Sequence, residues 1–288
     1  MQNSKYLIIG NGFLGNVLHK TTIRLRINSS ITDYKNNGID IRNISSIEKG
    51  IKNVEPNFVI NCAAASDVDD LEKNPIRARD INAKGAQNLA LICKEYNIKL
   101  IHISTDSVFD GKKGMYLEKD LPNPINEYSK SKKLGEDLIK ETLEDSIIIR
   151  TNFYGKNQFG KGLFEWVIQK LQNNSEIKGF SDVIFNPLEV NNLSEMILEL
   201  SQLNYNGIIH LAGSEVFSKY EFAIKIAKNL GYSEKLIKES SIKEANLSAK
   251  RPLNTTLSNK MSTKILNTKI IKLEEYLNEF KKLYKNQT

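Results

Sequence analysis

The 288-residue sequence contains little cysteine, proline and histidine, and it has no long apolar run. Its two cysteines, Cys62 and Cys93, are too few for a disulfide framework or a cysteine-based metal cluster, and we expect no metal. No apolar stretch approaches the roughly 20 residues that span a bilayer, and the N-terminal residues lack a signal-peptide pattern. We therefore expect a soluble, cytoplasmic protein with no membrane partner.

Charge of one sign is not concentrated in any part of the chain. Lysine and arginine total 41 against 34 acidic residues, a net charge of +7, but the two signs are interspersed. The absence of a basic stripe argues against a nucleic-acid partner. A mild positive excess suits small anionic ligands such as dinucleotides and nucleotide sugars.

Short β-branched runs alternate with helical patterns through the chain. Apolar runs of strand length occur at 5–10, 57–62, 99–104, 146–151 and 207–213. The clearest helical patterns between them lie at 77–96 and 127–143. Nearly continuous apolar strands that alternate with helices are typical of a parallel sheet covered on both faces. The sequence predicts an α/β fold with a doubly wound parallel sheet of the Rossmann type.

The composition changes after residue 150. We predict a dinucleotide-binding Rossmann domain over 1–150, with its second strand near 31–34, and a smaller, mainly helical substrate-binding domain over 151–288. The chain is expected to return to the first domain near 186–212. Further helical patterns lie at 161–173, 192–203, 219–230 and 272–285.

Some aromatic and histidine side chains fit a packing role. We expect Phe164 and Trp166 to pack the second domain against the first. His102 and His210 lie within apolar strand patterns, which favours hydrogen-bonded core histidines over metal ligands.

A glycine-rich turn follows the first apolar run. Gly10, Gly12 and Gly15 have the G-x-G-x-x-G spacing, with Phe13 and Leu14 inside it, and a helical pattern begins there. Such a turn lets the backbone approach a pyrophosphate, which the N–H groups at the helix N-terminus bind. A plain turn is the alternative, but the strand–turn–helix context favours NADH or NADPH as cofactor.

An acidic residue should hold the adenosine ribose about 20 positions after the glycine turn. Asp33 has this distance, although it also fits a solvated turn. A carboxylate there repels a 2′-phosphate and mildly favours NAD, whereas the nearby Lys35 weakens that preference.

Tyr128 and Lys132 are spaced to share one face of a helix. A tyrosine with a pKa near 10 becomes an effective acid or base when a nearby ammonium stabilises its phenolate. Upstream, a strand ends at Ser104, Thr105 and Asp106, at the sheet edge where such folds bind ligands. We therefore interpret the pair as catalytic, although a surface tyrosine among lysines would look the same in isolation.

Four motifs follow one another along the chain: "GNGFLG" (10–15), "NCAAA" (61–65), "STDSVFDG" (104–111) and "YSKSK" (128–132). In this order they resemble the extended short-chain dehydrogenase/reductase superfamily, and within it the dTDP-4-dehydrorhamnose reductase group. Similar patterns of that group occur at 81–90, 149–155 and 249–257.

The resemblance implies hydride transfer from a reduced nicotinamide to C4 of a nucleoside-diphosphate 4-keto-6-deoxy sugar, in deoxysugar or cell-surface polysaccharide biosynthesis. Tyr128 would be the catalytic acid, Lys132 its partner on the nicotinamide ribose, and Thr105 the hydroxyl that orients the carbonyl. Further residues implied at the cofactor are Asp40, Ile41, Ala63, Ala64, Ala65 and Ser104. Those implied at the substrate are Ser107, Val108, Asn152, Phe153 and Arg251, the last as a diphosphate ligand or else a surface arginine.

The sequence also departs from that group. The glycine turn is one residue shorter, and Ser107, Asn152 and Phe153 replace residues that face the sugar there, which favours a different deoxysugar. Ser107 stands where a 4,6-dehydratase needs glutamate, so dehydration is disfavoured. A 4-epimerase remains open, as does a non-catalytic subunit resembling the regulatory subunit of methionine adenosyltransferase. A homodimer is also left open.

Overall fold

The computed structural model describes residues 4–36 and 38–285. Its strands are β1 (Tyr6–Ile9), β2 (Ser29–Thr32), β3 (Phe58–Asn61), β4 (Lys99–Thr105), β5 (Ser146–Thr151), β6 (Phe153–Tyr154), β7 (Ile177–Phe180), β8 (Ile184–Phe185), β9 (Leu188–Glu189), β10 (Gly207–Leu211), β11 (Phe217–Ser218) and β12 (Ile237–Ser240). Its α-helices are α1 (Phe13–Arg24), α2 (Ile44–Val54), α3 (Val68–Lys73), α4 (Pro75–Arg79), α5 (Gly85–Glu95), α6 (Glu127–Thr142), α7 (Leu163–Gln172), α8 (Val190–Ser201), α9 (Lys219–Leu230), α10 (Lys260–Ile265) and α11 (Leu273–Lys285).

Six parallel strands form the central sheet, in the order β10–β5–β4–β3–β1–β2. The predicted α/β fold with a doubly wound parallel sheet is confirmed. Strand β5 is buried along its whole length, and β1 is equally buried. This burial explains the apolar runs, because helices cover both faces of a parallel sheet.

The strand order reverses between β1 and β3. From β1 the chain passes to β2 on one side and then crosses to β3 on the other. At such a switch point the two outgoing loops diverge and leave a crevice at the carboxyl ends of the strands. The glycine turn follows β1, and the alanines of "NCAAA" follow β3, so both segments border this crevice.

Three large apolar clusters and one small one form the core of the described residues. One lies between the sheet and helices α1 and α8, and a second lies on the opposite face under α2, α5 and α6. The third is rich in aromatic residues and joins α7, α9 and α11 beyond the sheet. Three short two-stranded ladders, β6–β9, β7–β12 and β8–β11, contribute residues to this third cluster.

Two sequence predictions need correction. The second strand runs over Ser29–Thr32 and not 31–34, because α1 continues to Arg24 and the chain then turns directly into the sheet. Trp166 does not pack inward, since 40% of it is exposed on the outer face of α7. Phe164 on the same helix is buried, but in the aromatic cluster, whose members lie between residues 154 and 280 and not in the predicted first domain.

No helix within the described ranges is both long enough and apolar enough to cross a membrane.

Candidate active site

The three glycines of the turn have different surroundings. A Cβ atom on Gly10, whose φ is +106°, would lie 2.5 Å from the backbone nitrogen of Ala63, and one on Gly15 would lie 1.9 Å from the carbonyl oxygen of Gly10. These two positions need glycine because backbones meet there. Gly12 is different, since a Cβ atom on it would have no neighbour within 4 Å. The turn is therefore packed at both ends and open in the middle.

The first turn of α1 carries no acidic side chain and has no side-chain cap at Gly12. Its N-terminal N–H groups and helix dipole therefore favour an anion at the open part of the turn. Leu14 points into the core, so only its backbone borders the crevice. Phe13 is half-buried, and its ring centroid lies 5.5 Å from that of Phe153. This contact joins the predicted cofactor turn to a residue predicted for the substrate.

The predicted adenosine-side residues lie on the loops after β2. The Asp33 carboxylate accepts the backbone N–H of Lys35 at 3.0 Å. Asp40 forms an ion pair with Arg42, with 2.6 Å between Oδ2 and Nη2, and the guanidinium lowers the pKa of Asp40. The side chain of Ile41 is buried in the core, so its predicted place near the adenine would be filled by its backbone.

The alanines after β3 are held by a residue that sequence reasoning did not single out. Ala63 and Ala65 are half-buried, and Ala64 is exposed. Asn82 accepts the N–H of Ala65 at 2.9 Å and donates to its carbonyl at 2.9 Å. It also donates to the Ser131 hydroxyl on α6 at 3.0 Å. Asn82 lies in the π-helical turn Asp80–Lys84, and the signal for it in the sequence is its place in the stretch 81–90, which resembles a pattern of the reductase group.

Helix α6 presents Tyr128 in its first turn. Asn126 caps the helix by accepting the N–H of Ser129 at 2.9 Å. The half-buried side chain of Tyr128 lies beside Thr105, at the end of β4, close enough for the Thr105 hydroxyl to act on its pKa. The pKa of Tyr128 is raised to about 12 by burial, against a lowering by the Thr105 hydroxyl and with a smaller rise from Asp106. The pKa lowering expected from Lys132 therefore does not outweigh burial.

Lys132 lies one turn further along α6 and is only 2% exposed. Its Nζ donates to the carbonyl of Ile103 at 2.7 Å and lies 3.1 Å from Nε2 of His102. Burial lowers the pKa of Lys132 to about 8, while Glu136 and Cys62 raise it. His102 is buried, as expected of a core histidine, but its contact with Lys132 was not foreseen.

Asp106 connects four side chains at the end of β4. It is 3% exposed. Its Oδ1 accepts from the hydroxyls of Thr105 at 3.1 Å and Ser107 at 3.2 Å. Its Oδ2 accepts from Nδ2 of Asn152 at 2.9 Å and from Oγ1 of Thr255 at 2.5 Å. Two bonds on each oxygen use the acceptor capacity of a carboxylate. Asp106 therefore fixes three predicted site residues relative to one another.

Two predicted site residues lie below the accessible surface. Ser104 is buried and donates to Glu136 at 2.5 Å, and Glu136 forms a buried ion pair with Arg150, with Oε2 2.7 Å from Nη2. Val108 is fully buried in a small apolar cluster. The predicted contacts of these residues with cofactor and substrate would therefore be made by their backbone, since both side chains are buried.

Arg251 lies near the start of α6. Its Nη2 is 2.8 Å from Oδ2 of Asp69, and its Nη1 donates to the carbonyl of Ala249 at 3.0 Å. Asn126 donates to the carbonyl of Lys250 at 2.8 Å, which holds this segment against the helix that carries Tyr128. The guanidinium is thus fixed near the candidate catalytic residues and is not a loose surface group.

Comparison with known families shows which family the chain belongs to. The sequence matches the family described as "RmlD substrate binding domain" over residues 4–286. The chain belongs to the RmlD family. It is 31% identical over 261 residues to the probable low-salt glycan biosynthesis reductase Agl14 of Haloferax volcanii, a match that covers 86% of this chain and 87% of that protein.

Solved structures of the RmlD type share the fold over nearly the whole chain. A dTDP-4-dehydrorhamnose reductase from Clostridium acetobutylicum has a TM-score of 0.89 and 31% identity, and covers 98% of this chain and 99% of its own. The enzyme of that name from Bacillus anthracis, solved in complex with NADP, has a TM-score of 0.87 and 31% identity, and covers 96% and 98%.

Proposed function

We propose that this protein reduces a nucleoside-diphosphate 4-keto-6-deoxy sugar to the 4-hydroxy sugar with NADH or NADPH. The observation that carries the proposal is the position of Tyr128 on α6 beside Thr105, at the carboxyl end of β4, on the sheet edge that the glycine turn also borders. The reductases of this family that resemble the chain support the same reaction.

The glycine turn fits a dinucleotide. Gly12 leaves open the space in front of the α1 N-terminus, and Gly10 and Gly15 keep the turn tight enough to bring its N–H groups to that space. The NADP complex of the Bacillus anthracis relative supports this assignment. When bound, a reduced nicotinamide supplies the hydride that the carbonyl carbon of the sugar receives.

Tyr128 would supply the proton. Its hydroxyl donates to the carbonyl oxygen, which carries negative charge as the carbon is reduced, and the product is the sugar alcohol. Thr105 would turn its hydroxyl from Asp106 toward the same oxygen and stabilise the developing charge. The phenolate left behind is stabilised when Lys132 is protonated, and a pKa of about 8 keeps this lysine charged at neutral pH.

We assign the sugar side of the site to residues 151–288. Asn152 is held by Asp106, and Phe153 contacts Phe13 of the glycine turn, so this segment begins beside the candidate catalytic residues. Arg251 would bind the diphosphate, for which a planar guanidinium is suited. To do so it would exchange its contact with Asp69 for one with phosphate.

The test is oxidation of reduced nicotinamide by the purified protein. NADH and NADPH would each be supplied with dTDP-4-keto-6-deoxymannose, and then with a panel of other nucleoside-diphosphate 4-keto sugars. Consumption of either cofactor that depends on the sugar supports the proposal. No consumption with any sugar, although the cofactors bind, would favour a regulatory role through a partner protein. Interconversion of two sugars without net consumption would favour an epimerase.

A further inference from the structure

Lys219 lies at the first position of α9, close to the candidate active site, and no role in the reaction described above uses it. Its backbone N–H donates to the carbonyl of Val183 at 3.0 Å. The two residues before it pair with strand β8 in the β8–β11 ladder, Phe217 with Phe185 and Ser218 with Ile184. The backbone at Lys219 is therefore fixed, and its side chain starts from a defined place.

Strand β8 is also connected to Asp106, by two hydrogen bonds through Thr255. The carbonyl of Ile184 accepts the N–H of Thr255 at 3.1 Å, and the Thr255 hydroxyl donates to Asp106 at 2.5 Å. The segment 183–185 is therefore connected to Lys219 through Val183 and the β8–β11 ladder, and to Asp106 at the end of β4 through Thr255. Consistent with this position, the Asp106 carboxylate acts electrostatically on the Lys219 ammonium.

The Lys219 ammonium has an unusual environment. Its Nζ lies 3.1 Å from the centroid of the Phe185 ring, as a cation over an aromatic face. Within residues 4–36 and 38–285, it forms no ion pair. Burial lowers the pKa of Lys219 to about 7, and Asp106 raises it. An ammonium in this position is stabilised by an oxygen acceptor that replaces the hydrogen bonds to water lost on burial.

Asp106 cannot be that acceptor without losing other bonds. Both of its oxygens already accept two hydrogen bonds each, from Thr105, Ser107, Asn152 and Thr255. Glu221, on the same helix as Lys219, accepts the backbone N–H of Ser218 in a capping box. The donor capacity of Lys219 is thus not used by these groups, and the Asp106 carboxylate that acts on it electrostatically also holds Thr105, beside which the proposed function puts the sugar.

We propose that Lys219 is a substrate-binding residue whose ammonium donates a hydrogen bond to a hydroxyl oxygen of the sugar ring. This inference rests on the proposed function and adds a residue to it. The assignment to the sugar and not the diphosphate follows from the link of Lys219 to Asp106, through β8 and Thr255, because Asp106 holds the Thr105 that would orient the sugar carbonyl. Arg251, the residue proposed for the diphosphate, is tied instead to Asp69 of α3.

The experiment compares three variants by calorimetric binding and by turnover. Lys219→Met keeps much of the aliphatic stem and removes the charge, and Lys219→Arg keeps a charge that does not titrate near neutrality. Lys225→Met is the matched control, because Lys225 is an exposed lysine of the same helix that lies 5.5 Å over another ring, that of Phe217. The ligands are dTDP-rhamnose, which carries the sugar, and dTDP, which lacks it.

Loss of one hydrogen bond to a charged donor should weaken binding of dTDP-rhamnose to Lys219→Met about tenfold or more. The KM for the keto sugar should rise by a similar factor, with kcat changed less than about threefold and dTDP binding unchanged. In the wild type, KM should rise as the pH passes about 7 and the ammonium loses its proton, and Lys219→Arg should flatten this rise. Lys225→Met should match the wild type.

Equal binding of dTDP-rhamnose by Lys219→Met and the wild type would overturn the inference. An equal loss of dTDP affinity would also overturn it, because the lysine would then serve the diphosphate. In both cases wild-type turnover would leave the proposed function standing. A wild-type protein that neither binds dTDP-rhamnose more tightly than dTDP nor reduces a keto sugar would refute both.

Discussion

Replacement of Tyr128 by phenylalanine removes one oxygen atom and keeps the ring that fills this half-buried position on α6. Thr105, which lies beside Tyr128, keeps the bonds of its hydroxyl with Asp106, at 3.1 Å, and with the N–H of Ser107, at 3.2 Å. No buried polar group is left without a partner. We therefore expect the free energy of unfolding to change by about 1 kcal/mol or less.

The catalytic effect should be much larger than the effect on stability. A positioned general acid contributes about 10²–10⁴-fold to the rate, which corresponds to about 3–5 kcal/mol in the activation free energy. Because the proton is transferred only during reduction, kcat should fall by this factor while the dissociation constant for NADPH stays within about twofold.

The assay follows reduced-nicotinamide absorbance with saturating keto sugar, and urea unfolding is measured on the same preparations. Tyr96→Phe is the control, since its hydroxyl donates to Glu48 at 2.9 Å away from the site. If Tyr128→Phe kept more than about a tenth of the wild-type kcat, Tyr128 would not be the acid, and our account of the proton would be refuted.

Three further predictions concern the cofactor turn and the buried charges. Gly10→Ala should lower the free energy of unfolding by about 2 kcal/mol or more, because Gly10 has a positive φ and a Cβ atom would meet the backbone of Ala63. Gly12→Ala should leave stability unchanged, because a Cβ atom there meets no neighbour, and should weaken NADPH binding about tenfold in calorimetry by occupying the open space of the turn. Glu136→Gln should cost about 3–5 kcal/mol in urea unfolding, because Arg150 is left buried without its carboxylate. Between about pH 8 and pH 10.5, Lys132 is neutral in the folded protein and charged in the unfolded chain. The free energy of unfolding of the wild type should therefore rise with pH in this range, by about 1.4 kcal/mol per pH unit relative to Lys132→Met.

Each of these predictions has a control or a contrary outcome. A Gly12→Ala variant that binds NADPH like the wild type would remove the turn from the cofactor site. Asp145→Asn breaks an ion pair with Lys99 at the surface, with the aspartate side chain 57% exposed, and should cost less than about 1 kcal/mol. A similar cost for Glu136→Gln would contradict the buried-pair argument. Lys130→Met, at an exposed position of α6, should show the wild-type dependence of stability on pH, and a lost slope there would refute the assignment to Lys132.

Much of the sheet could be predicted from the sequence because parallel strands are buried on both faces. Such strands appear as short apolar runs, and the runs at 99–104 and 146–151 coincide closely with β4 and β5. Helix α9 matches its predicted bounds because its apolar residues recur with helical spacing. Strand β2 was misplaced because only four residues form it and none is fully buried, so it has no strong apolar pattern.

The site was harder to predict than the fold. Residues with a strong local signal, such as Gly10, were proposed from spacing alone. The residues that the sequence did not reveal act through contacts between distant segments. Asp106 meets Asn152 and Thr255, and His102 meets Lys132, only after the sheet and α6 have packed. No local pattern records such contacts, so these roles needed the structure.

The most direct test of the proposed reaction is isotope tracing with a reduced nicotinamide cofactor. Its nicotinamide ring would carry deuterium at C4, in the position that is transferred as hydride. The protein would be incubated with this cofactor and the keto sugar that it consumes, and the sugar product would be examined by NMR. Our account predicts one deuterium on C4 of the sugar, with one cofactor oxidised for each sugar formed. A product without deuterium at C4, or an altered sugar without oxidised cofactor, would contradict the assignment of this protein as a 4-ketoreductase.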